Sequence, residues 1–258
     1  MPEDYLTCAC QMSIWNRLIE AGVMDQRGLL LFDIDGTLVD CAGAGMRSLV
    51  RAVCLLHDEP ERSWSSLTPD GLTDPLLAAQ VLELVCGREP RSEAEVTEVL
   101  ARYAIELEQT LRDSPDYRVL PGVMALLGRL QDDRGWLPGL GTGNIEQGAL
   151  LKLKRGGLEG YFHFGGFGSD SARRDLILAR ARQRGEHLLG REVAPREVVV
   201  VGDTVRDIDA ARANGFPVLA VATGRTRRGV LEQAGADEVL DDLSDERQVL
   251  AVLGRLRL

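Results

Sequence analysis

Three short polar segments, each following an apolar run, contain the carboxylate, hydroxyl and glycine residues that could do chemistry. Residues 33–38 read DIDGTL, residues 141–144 read GTGN, and residues 202–207 read GDTVRD. A carboxylate at the end of a buried strand is costly to desolvate, so Asp33 and Asp203 each need a compensating positive charge. Magnesium prefers one or two carboxylates together with water and phosphate oxygens. The segments therefore predict that Mg²⁺ binds between the two aspartates and brings a phosphoryl group to them.

The two aspartates of the first segment suit different steps of phosphoryl transfer. Asp33 can attack phosphorus in line as a covalent nucleophile once a cation shields its charge. Asp35 lies two residues further on, where it can protonate the leaving oxygen and later deprotonate the hydrolytic water. Gly36 permits the sharp turn that directs both carboxylates inward. We therefore expect Asp33 and Asp35 to be the catalytic pair, with the backbone carbonyl of Asp35 as a further metal ligand.

The second and third segments supply groups for the phosphate and the metal. Thr142 has a hydroxyl group, and the backbone N–H groups of Gly143 and Asn144 lie at a predicted helix N-terminus, which is a natural phosphate site. Asp203 is the predicted metal ligand of the third segment. Asp207 follows it by about one helical turn, and it either coordinates the metal or orients metal-bound water.

The elements that must position these residues alternate between strand and helix. Unbroken or nearly unbroken apolar runs predict buried strands at 28–33, 136–141, 198–202 and 218–222, with a short strand at 162–166. Helices are predicted between them, over 123–130, 145–155, 176–184 and 208–214. This alternation predicts an α/β fold with a doubly wound parallel sheet. The ligand site of such a sheet lies beyond the carboxyl ends of its strands, where the three polar segments meet.

One long stretch interrupts the alternation and is helical throughout. Apolar residues recur at helical spacing within 46–53, 76–84 and 96–107, and no strand-like run separates them. We therefore predict an all-helical domain over 41–117, inserted into a core made of 28–40 and 118–258. Residues 1–27 are predicted to be an N-terminal extension that contains a short amphipathic helix at 13–24.

Composition and charge limit the classes of partner and compartment. A net charge of −10 over 258 residues argues against a nucleic acid or an anionic membrane as partner, because both require a basic surface. No apolar run approaches the roughly 20 residues of a membrane span. The cysteines are odd in number and have no metal-ligand spacing; they are Cys8, Cys10, Cys41, Cys54 and Cys86. Because the N-terminus also has no secretory signal, we expect reduced thiols and a cytoplasmic protein, either monomer or homodimer.

The three segments together resemble the motifs of the haloacid-dehalogenase-like (HAD) hydrolase superfamily. The first motif matches residues 33–38, the second Thr142 and the fourth residues 202–207. The resemblance implies a Rossmann-like core, a cap domain in the helical insert, Mg²⁺ as cofactor and hydrolysis of a small phosphorylated metabolite through an aspartyl-phosphate. Residues 121–123 and 219–237 resemble the phosphoglycolate-phosphatase-like branch of this superfamily.

The acid at position 35 separates the subclasses of the superfamily. Haloalkanoic dehalogenases and phosphonatases lack an acid there, and phosphonatases add a Schiff-base lysine in the cap. Residues 41–117 contain no lysine, which excludes the phosphonatase mechanism. Sugar phosphomutases keep both Asp33 and Asp35, so they remain an alternative. A catalytically silent binding protein with the same fold is a second alternative, since fold does not guarantee activity.

The sequence departs from the family pattern in the third motif, and the cap has one segment of interest. Many relatives carry a phosphate-binding lysine before the penultimate core helix, but residues 169–175 read SDSARRD. Lys152 is the favoured replacement because helical side chains lean toward the N-terminus, and Arg173 is the alternative. In the cap, Thr73 and Asp74 resemble a substrate-facing segment of related phosphatases. They could equally cap the helix that begins near Pro75.

Overall fold

A six-stranded parallel sheet forms the centre of the molecule, in a computed structural model that describes residues 27–132 and 135–257. The sheet order is β5-β4-β1-β6-β7-β8. Its strands are β1 Gly28–Phe32, β4 Trp136–Gly141, β5 Gly165–Gly166, β6 Val198–Gly202, β7 Val218–Val221 and β8 Glu238–Leu240. Every adjacent pair runs parallel. The predicted parallel α/β sheet is therefore confirmed.

The central strand β1 is apolar along its whole length because both faces of the sheet are covered. Leu30 and Phe32 belong to one hydrophobic cluster, whereas Leu29 and Leu31 belong to a second cluster on the other face. All four residues are 0% exposed. Alternate side chains of a strand point to opposite faces, so a strand covered on both sides needs apolar residues at every position. The unbroken run that predicts this strand is the direct consequence.

Helices connect the strands and form the insert. The core helices are α4 Val123–Asp132, α5 Glu146–Arg155, α6 Arg174–Leu189, α7 Val205–Ala213, α8 Arg228–Ala234 and α9 Glu246–Leu256. The insert contains α1 Ala44–His57, α2 Asp74–Cys86 and α3 Glu93–Arg112. Two short antiparallel strands, β2 Val39–Asp40 and β3 Arg118–Val119, pair where the chain leaves and re-enters the core. They lie at the predicted limits of the insert.

Several elements differ from their predicted bounds or are additional to them. Strand β5 has two residues rather than five, and β7 ends at Val221. The strands β2, β3 and β8 were not predicted, because two or three paired residues leave no periodic signal. Helices α8 and α9 are also additional to the predicted helices. The predicted helix at 13–24 and nearly all of the N-terminal extension lie outside the described residues.

Two further expectations concern reduced cysteines and membrane-spanning segments. Cys41, Cys54 and Cys86 are free thiols, while Cys8 and Cys10 lie outside the described residues. Over the parts of the chain that the structure describes, no helix combines the length and apolar character needed to cross a membrane.

Candidate active site

The three polar segments meet at the carboxyl ends of adjacent strands. Strand β1 lies between β4 and β6, so the turns that follow these strands face one another. A cavity of about 490 Å³ opens there, between the turns and the helical insert. Its lining includes Asp33, Asp35, Asn144, Asp203 and Arg174. The topology therefore brings together the side chains that the motifs predict.

Three buried carboxylates cluster beside this cavity, and two of them, Asp33 and Asp203, line it. One oxygen each of Asp33, Asp203 and Asp207 lies within 4.8 Å of the other two, and the residues are 5%, 3% and 1% exposed. Burial raises the pKa of Asp33 to about 6, and the charges of Asp207 and Asp35 add to this effect against that of Arg174. Burial, with Asp207 and Asp33, raises the pKa of Asp203 well above its usual value. The cluster therefore requires positive charge.

Glycine and threonine residues determine where Asp203 points. The Thr37 hydroxyl donates to Asp203 Oδ1 at 3.0 Å. A Cβ atom at either Gly36 or Gly224 would collide with the Asp203 carboxylate, and Gly36 also has a φ of +85°. The Thr223 hydroxyl donates to the Gly36 carbonyl at 2.5 Å. Both glycines are needed here because the carboxylate packs directly against the backbone.

Asp207 lies in the first turn of helix α7, and its two oxygens have different partners. Its Oδ2 accepts hydrogen bonds from the Thr204 backbone N–H at 3.0 Å and the Thr204 hydroxyl at 2.7 Å. The Asp207 backbone N–H in turn donates to the Thr204 hydroxyl oxygen at 3.3 Å, which completes a capping box. Oδ1 is buried and faces the carboxylate cluster, where its contact is the ion pair with Arg174. Three carboxylate oxygens this close to one another fit a hard cation that takes oxygen ligands.

Arg174 supplies the cation that sequence reasoning did not identify. Its Nη2 lies 2.9 Å from Asp33 Oδ1 and 2.5 Å from Asp207 Oδ1, and the side chain is 8% exposed. Asp33 and Asp207 therefore hold this buried nitrogen between them as ion-pair partners. Asp207 and Asp33 hold the pKa of Arg174 above its usual range in spite of burial. The guanidinium is therefore placed to neutralise the cluster and to contact an incoming anion.

Arg173, the predicted alternative, lies outside the cavity. Its side chain is 71% exposed and pairs with Asp175 at 2.6 Å. Arg173 is the N-cap of α6, whereas Arg174 begins the face that turns inward. That face has helical spacing, since the buried residues of this helix are Arg174, Ile177, Leu178, Ala181, Gly185 and Leu189. The same spacing in the sequence was the signal that could have distinguished the two arginines.

Lys152 reaches the cavity, but its partner is Asp35. Lys152 is 3% exposed, and its Nζ lies 2.5 Å from Asp35 Oδ2 and 2.5 Å from Asn144 Oδ1. The Asn144 amide also donates to Asp35 Oδ2 at 2.9 Å. Partial desolvation opposes ionisation of Asp35, yet the Lys152 charge and these hydrogen bonds lower its pKa. The side chain leans toward the N-terminus of α5, as expected.

The GTGN segment is tied into the core and into the insert. The Thr142 hydroxyl is fully buried and accepts hydrogen bonds from the Asn144 backbone N–H at 3.3 Å and its side-chain amide at 2.8 Å. The Gly143 carbonyl accepts from the Asp74 backbone N–H at 2.8 Å. A Cβ atom at Gly143 would lie 2.6 Å from the Leu72 carbonyl oxygen, so the insert approaches closely at this glycine. Phosphate binding by these residues stays a prediction.

Thr73 and Asp74 dock the insert on the core. Asp74 Oδ2 accepts a hydrogen bond from the Ile145 backbone N–H at 2.8 Å, at the start of core helix α5. The Thr73 hydroxyl donates to the Ala172 carbonyl at 3.2 Å. Thr73 is the N-cap of α2 by backbone position, but its side chain makes no capping hydrogen bond. Asp74 also lines the cavity, so contact with a substrate remains a prediction for it.

Comparison with known proteins identifies the family. The model of the haloacid dehalogenase-like hydrolases matches residues 28–215. A phosphoglycolate phosphatase of Synechococcus elongatus is 28% identical over 233 residues, which cover 88% of this chain and 98% of that protein. This relative confirms the resemblance to the phosphoglycolate-phosphatase-like branch.

Solved structures show the same fold at low sequence identity. CbbY of Rhodobacter sphaeroides, solved in complex with phosphate, has a TM-score of 0.66 at 16% identity, with 85% of this chain and 96% of that chain covered. A protein described as a β-phosphoglucomutase of Bacteroides vulgatus has a TM-score of 0.65 at 19% identity, with 95% and 98% covered. The family model that matches residues 28–215, together with the three motifs at one sheet edge, shows that the chain belongs to the haloacid dehalogenase-like hydrolases.

Proposed function

We propose that this hydrolase is a Mg²⁺-dependent phosphatase that cleaves small phosphorylated metabolites through an aspartyl-phosphate on Asp33. The observation that carries the proposal is the contrast between Asp33 and Asp35. Asp33 is buried among carboxylates beside Arg174, whereas the Asp35 side chain is 43% exposed and pairs with Lys152. Two carboxyl groups with opposite environments are typical of a nucleophile and an acid/base working together.

The buried carboxylates are the proposed Mg²⁺ ligands. Asp33, Asp203 and Asp207 would hold the ion, together with the backbone carbonyl of Asp35. Oxygen ligands on three mutually close, buried carboxylates support this assignment. When bound, Mg²⁺ supplies the positive charge that lets an anionic phosphoryl group approach an anionic nucleophile.

The proposed reaction has two half-steps at the same phosphorus. Asp33 attacks the phosphoryl group while protonated Asp35 gives its proton to the leaving oxygen, and the alcohol departs. Asp35, now a carboxylate, then takes a proton from water, which attacks the aspartyl-phosphate and releases inorganic phosphate. Lys152 lowers the pKa of Asp35 in the free enzyme. An incoming phosphate competes with Asp35 for the ammonium, which raises that pKa when the acid form is needed.

Two cations of this chain are proposed to bind the phosphoryl oxygens. Arg174 contacts Asp33 directly and lines the cavity, so it is proposed to act where relatives have the third-motif lysine. Lys152 lies on the Asp35 side of the cavity. Charge on both sides of the phosphoryl group stabilises the transition state because the donors are already fixed in place. The Thr142 hydroxyl and the backbone N–H of Gly143 are the proposed further contacts.

A screen of phosphate esters with Mg²⁺ tests the proposal. The wild-type protein is expected to release inorganic phosphate from several esters, and Asp33→Asn should lose at least about a thousandfold in kcat/KM because the nucleophile is gone. Asp209→Asn, an exposed aspartate on α7, is the matched control and should keep full activity. Equal residual turnover by wild type and Asp33→Asn would defeat the catalytic role of Asp33 and favour a silent binding protein.

A phosphomutase remains the second candidate. It is supported by the fold shared with the β-phosphoglucomutase of Bacteroides vulgatus and by the presence of both Asp33 and Asp35. Product analysis separates the two candidates. A hydrolase releases one inorganic phosphate for each alcohol formed, whereas a mutase returns the phosphoryl group to another hydroxyl of the sugar.

A further inference from the structure

A second groove adjoins the catalytic cavity and is rich in arginine. It has a volume of about 700 Å³ and shares Trp64 and Arg225 with the catalytic cavity. Its lining includes the guanidinium groups of Arg47, Arg51, Arg62 and Arg225, against Glu61 as the acidic lining residue. The chain as a whole carries a net charge of −10, so this concentration of positive charge is local. We call this surface the arginine groove.

Two of these arginines have only loose acidic partners. Arg225 lies 3.6 Å from Asp70, with its side chain 62% exposed, and Arg62 lies 3.9 Å from Glu59, with its side chain 51% exposed. Exposed pairs at such distances contribute little free energy because water screens them. Both guanidinium groups can therefore turn toward a better acceptor at small cost.

The other two arginines carry charge that their neighbours do not fully balance. Arg51 pairs with Glu106 at 2.9 Å, but Glu106 also pairs with Arg102 at 2.7 Å, so two guanidinium groups share one carboxylate. Arg47 donates to the Ala42 carbonyl at 2.6 Å. Over the described part of the chain, no carboxylate comes within ion-pair distance of Arg47. A guanidinium with open N–H groups is suited to bidentate binding of a phosphate or carboxylate.

Trp64 and Arg47 mark the passage between the two spaces. Gly43 lines the catalytic cavity, and a Cβ atom there would lie 3.3 Å from Arg47 Nη1 and 3.6 Å from the Trp64 ring. A leaving group that extends out of the cavity would therefore pass the indole and meet the Arg47 guanidinium. The cavity itself, at about 490 Å³, lies in the range that holds drug-sized ligands and exceeds the needs of a two-carbon ester.

From this geometry we propose that the arginine groove binds a second anionic group of the substrate. The substrate class is then a phosphomonoester whose leaving group carries a phosphate or carboxylate several bonds from the ester that Asp33 attacks. This inference rests on the proposed phosphatase function. Arg47 and Arg225 are the residues expected to contribute most, since Arg47 has open N–H groups and Arg225 lines both spaces.

Matched esters of defined length test the proposal. Alkyl chains from propyl to octyl are each prepared in three forms. These are the plain alkyl phosphate, the bisphosphate of the α,ω-diol and the ω-carboxyalkyl phosphate. At one or more chain lengths, kcat/KM for a doubly anionic ester should exceed that for the plain ester at least about tenfold, as one or two charge-assisted hydrogen bonds provide. The two anionic arms distinguish phosphate from carboxylate recognition. If the plain ester is as good at every length, the proposal is overturned.

Variants assign the effect to the groove. Arg47→Gln and Arg225→Gln should each remove most of the advantage of the doubly anionic ester over the plain ester, compared within the same variant, by raising KM for the doubly anionic ester. Arg129→Gln, an exposed arginine on α4, is the matched control and should change neither value. An unchanged advantage in both groove variants would contradict the assignment.

A binding measurement separates this proposal from the proposed reaction. Calorimetric titration of Asp33→Asn protein with the same esters measures affinity without turnover. If wild type cleaves no ester but the doubly anionic ligand still binds tighter, with the difference lost in Arg47→Gln, the groove is supported and the catalytic proposal fails. Equal affinity for plain and doubly anionic esters overturns the groove even if the protein is an active phosphatase.

Discussion

At the scale of single residues, Arg174 is the group on which the buried charges converge. It lies within ion-pair distance of both Asp33 and Asp207 and lines the cavity. Removal of this charge leaves two buried carboxylates facing one another and takes away a proposed phosphate contact. Loss of such a fixed transition-state donor typically lowers kcat by about a hundredfold to a thousandfold.

We therefore expect Arg174→Gln to lower kcat/KM for phosphate esters about a hundredfold or more, measured as inorganic phosphate release at saturating Mg²⁺. Arg173→Gln is the matched control. Arg173 is the adjacent residue, and its side chain is exposed and pairs only with Asp175 among the described carboxylates. The control should stay within about twofold of wild type. A larger loss from Arg173→Gln than from Arg174→Gln would contradict the assignment.

Lys152 has a consequence for pH dependence. It lowers the pKa of Asp35, whose carboxylate form is the proposed base of the second half-step. Lys152→Met should therefore raise that pKa, and the acid limb of the kcat profile should move to higher pH when aspartyl-phosphate hydrolysis limits the rate. Lys154→Met, exposed on the same helix, should leave the profile in place. An unmoved acid limb in Lys152→Met would show that the ammonium does not act through Asp35.

The residues of the site could be predicted where a motif follows a strand, and less well elsewhere. Asp33, Asp203 and Asp207 come together because strand ends of a parallel sheet meet at one edge. Arg174 was missed because adjacent residues at a helix start point about 100° apart, and composition does not say which one faces inward. The partner of Lys152 was likewise not evident, since it depends on how Asn144 and Asp35 approach.

At the scale of elements, Asp74 couples helix α2 of the insert to helix α5 of the core. Burial raises its pKa to about 6, against the opposing charge of Lys152. The folded state therefore binds this proton more tightly than the unfolded chain does. Its contribution to stability is full below the unfolded pKa of about 3.9 and is lost as pH rises through about 6.

Asp74→Asn should remove this dependence while an amide oxygen still accepts from Ile145. The difference in free energy of unfolding between wild type and Asp74→Asn is expected to move by up to about 3 kcal/mol in favour of the variant from pH 4 to 7.5. Urea unfolding without Mg²⁺ measures it, and the other buried carboxylates largely cancel in the difference. Asp209→Asn should parallel wild type. If Asp74→Asn also parallels wild type, the Asp74 carboxyl group of the folded wild-type protein is not neutral at low pH.

How well a strand could be predicted from the sequence depends on its length. Strands β1, β4 and β6 are five or six residues long and were predicted from their apolar runs. The paired residues of β2 and β3 form only because the two crossings of the insert come together, which is a tertiary event. The short β8 is likewise defined by its neighbour β7 rather than by its own sequence.

At the scale of the whole molecule, the insert sits directly on the catalytic turns. Leu72 and Asp74 contact the backbone of Gly143, and Arg174 Nη1 donates to the Gly71 carbonyl at 3.3 Å. Close seating of the insert brings its residues to the cavity, where they can face a substrate. The sequence predicted an insert here, but not which of its residues contact the core, because those contacts involve backbone atoms.

Gly143→Ala tests the importance of this seating. The added methyl group would lie 2.6 Å from the Leu72 carbonyl, so the insert must shift outward. We expect kcat/KM to fall about tenfold or more while the catalytic carboxylates stay intact. Gly128→Ala, where a Cβ atom meets nothing within 4 Å, should leave activity unchanged. Full activity in Gly143→Ala would show that close seating is not needed for turnover.

The covalent intermediate is the most direct test of the whole account. Asp35→Asn should still be phosphorylated by acetyl phosphate, whose leaving group needs no proton, but should hydrolyse the product slowly because the base is missing. Acid quench, borohydride cleavage and peptide mass analysis should then find the modified residue at Asp33 and nothing in the Asp33→Asn, Asp35→Asn double variant. Turnover without label at Asp33, or label on another residue, would contradict the account.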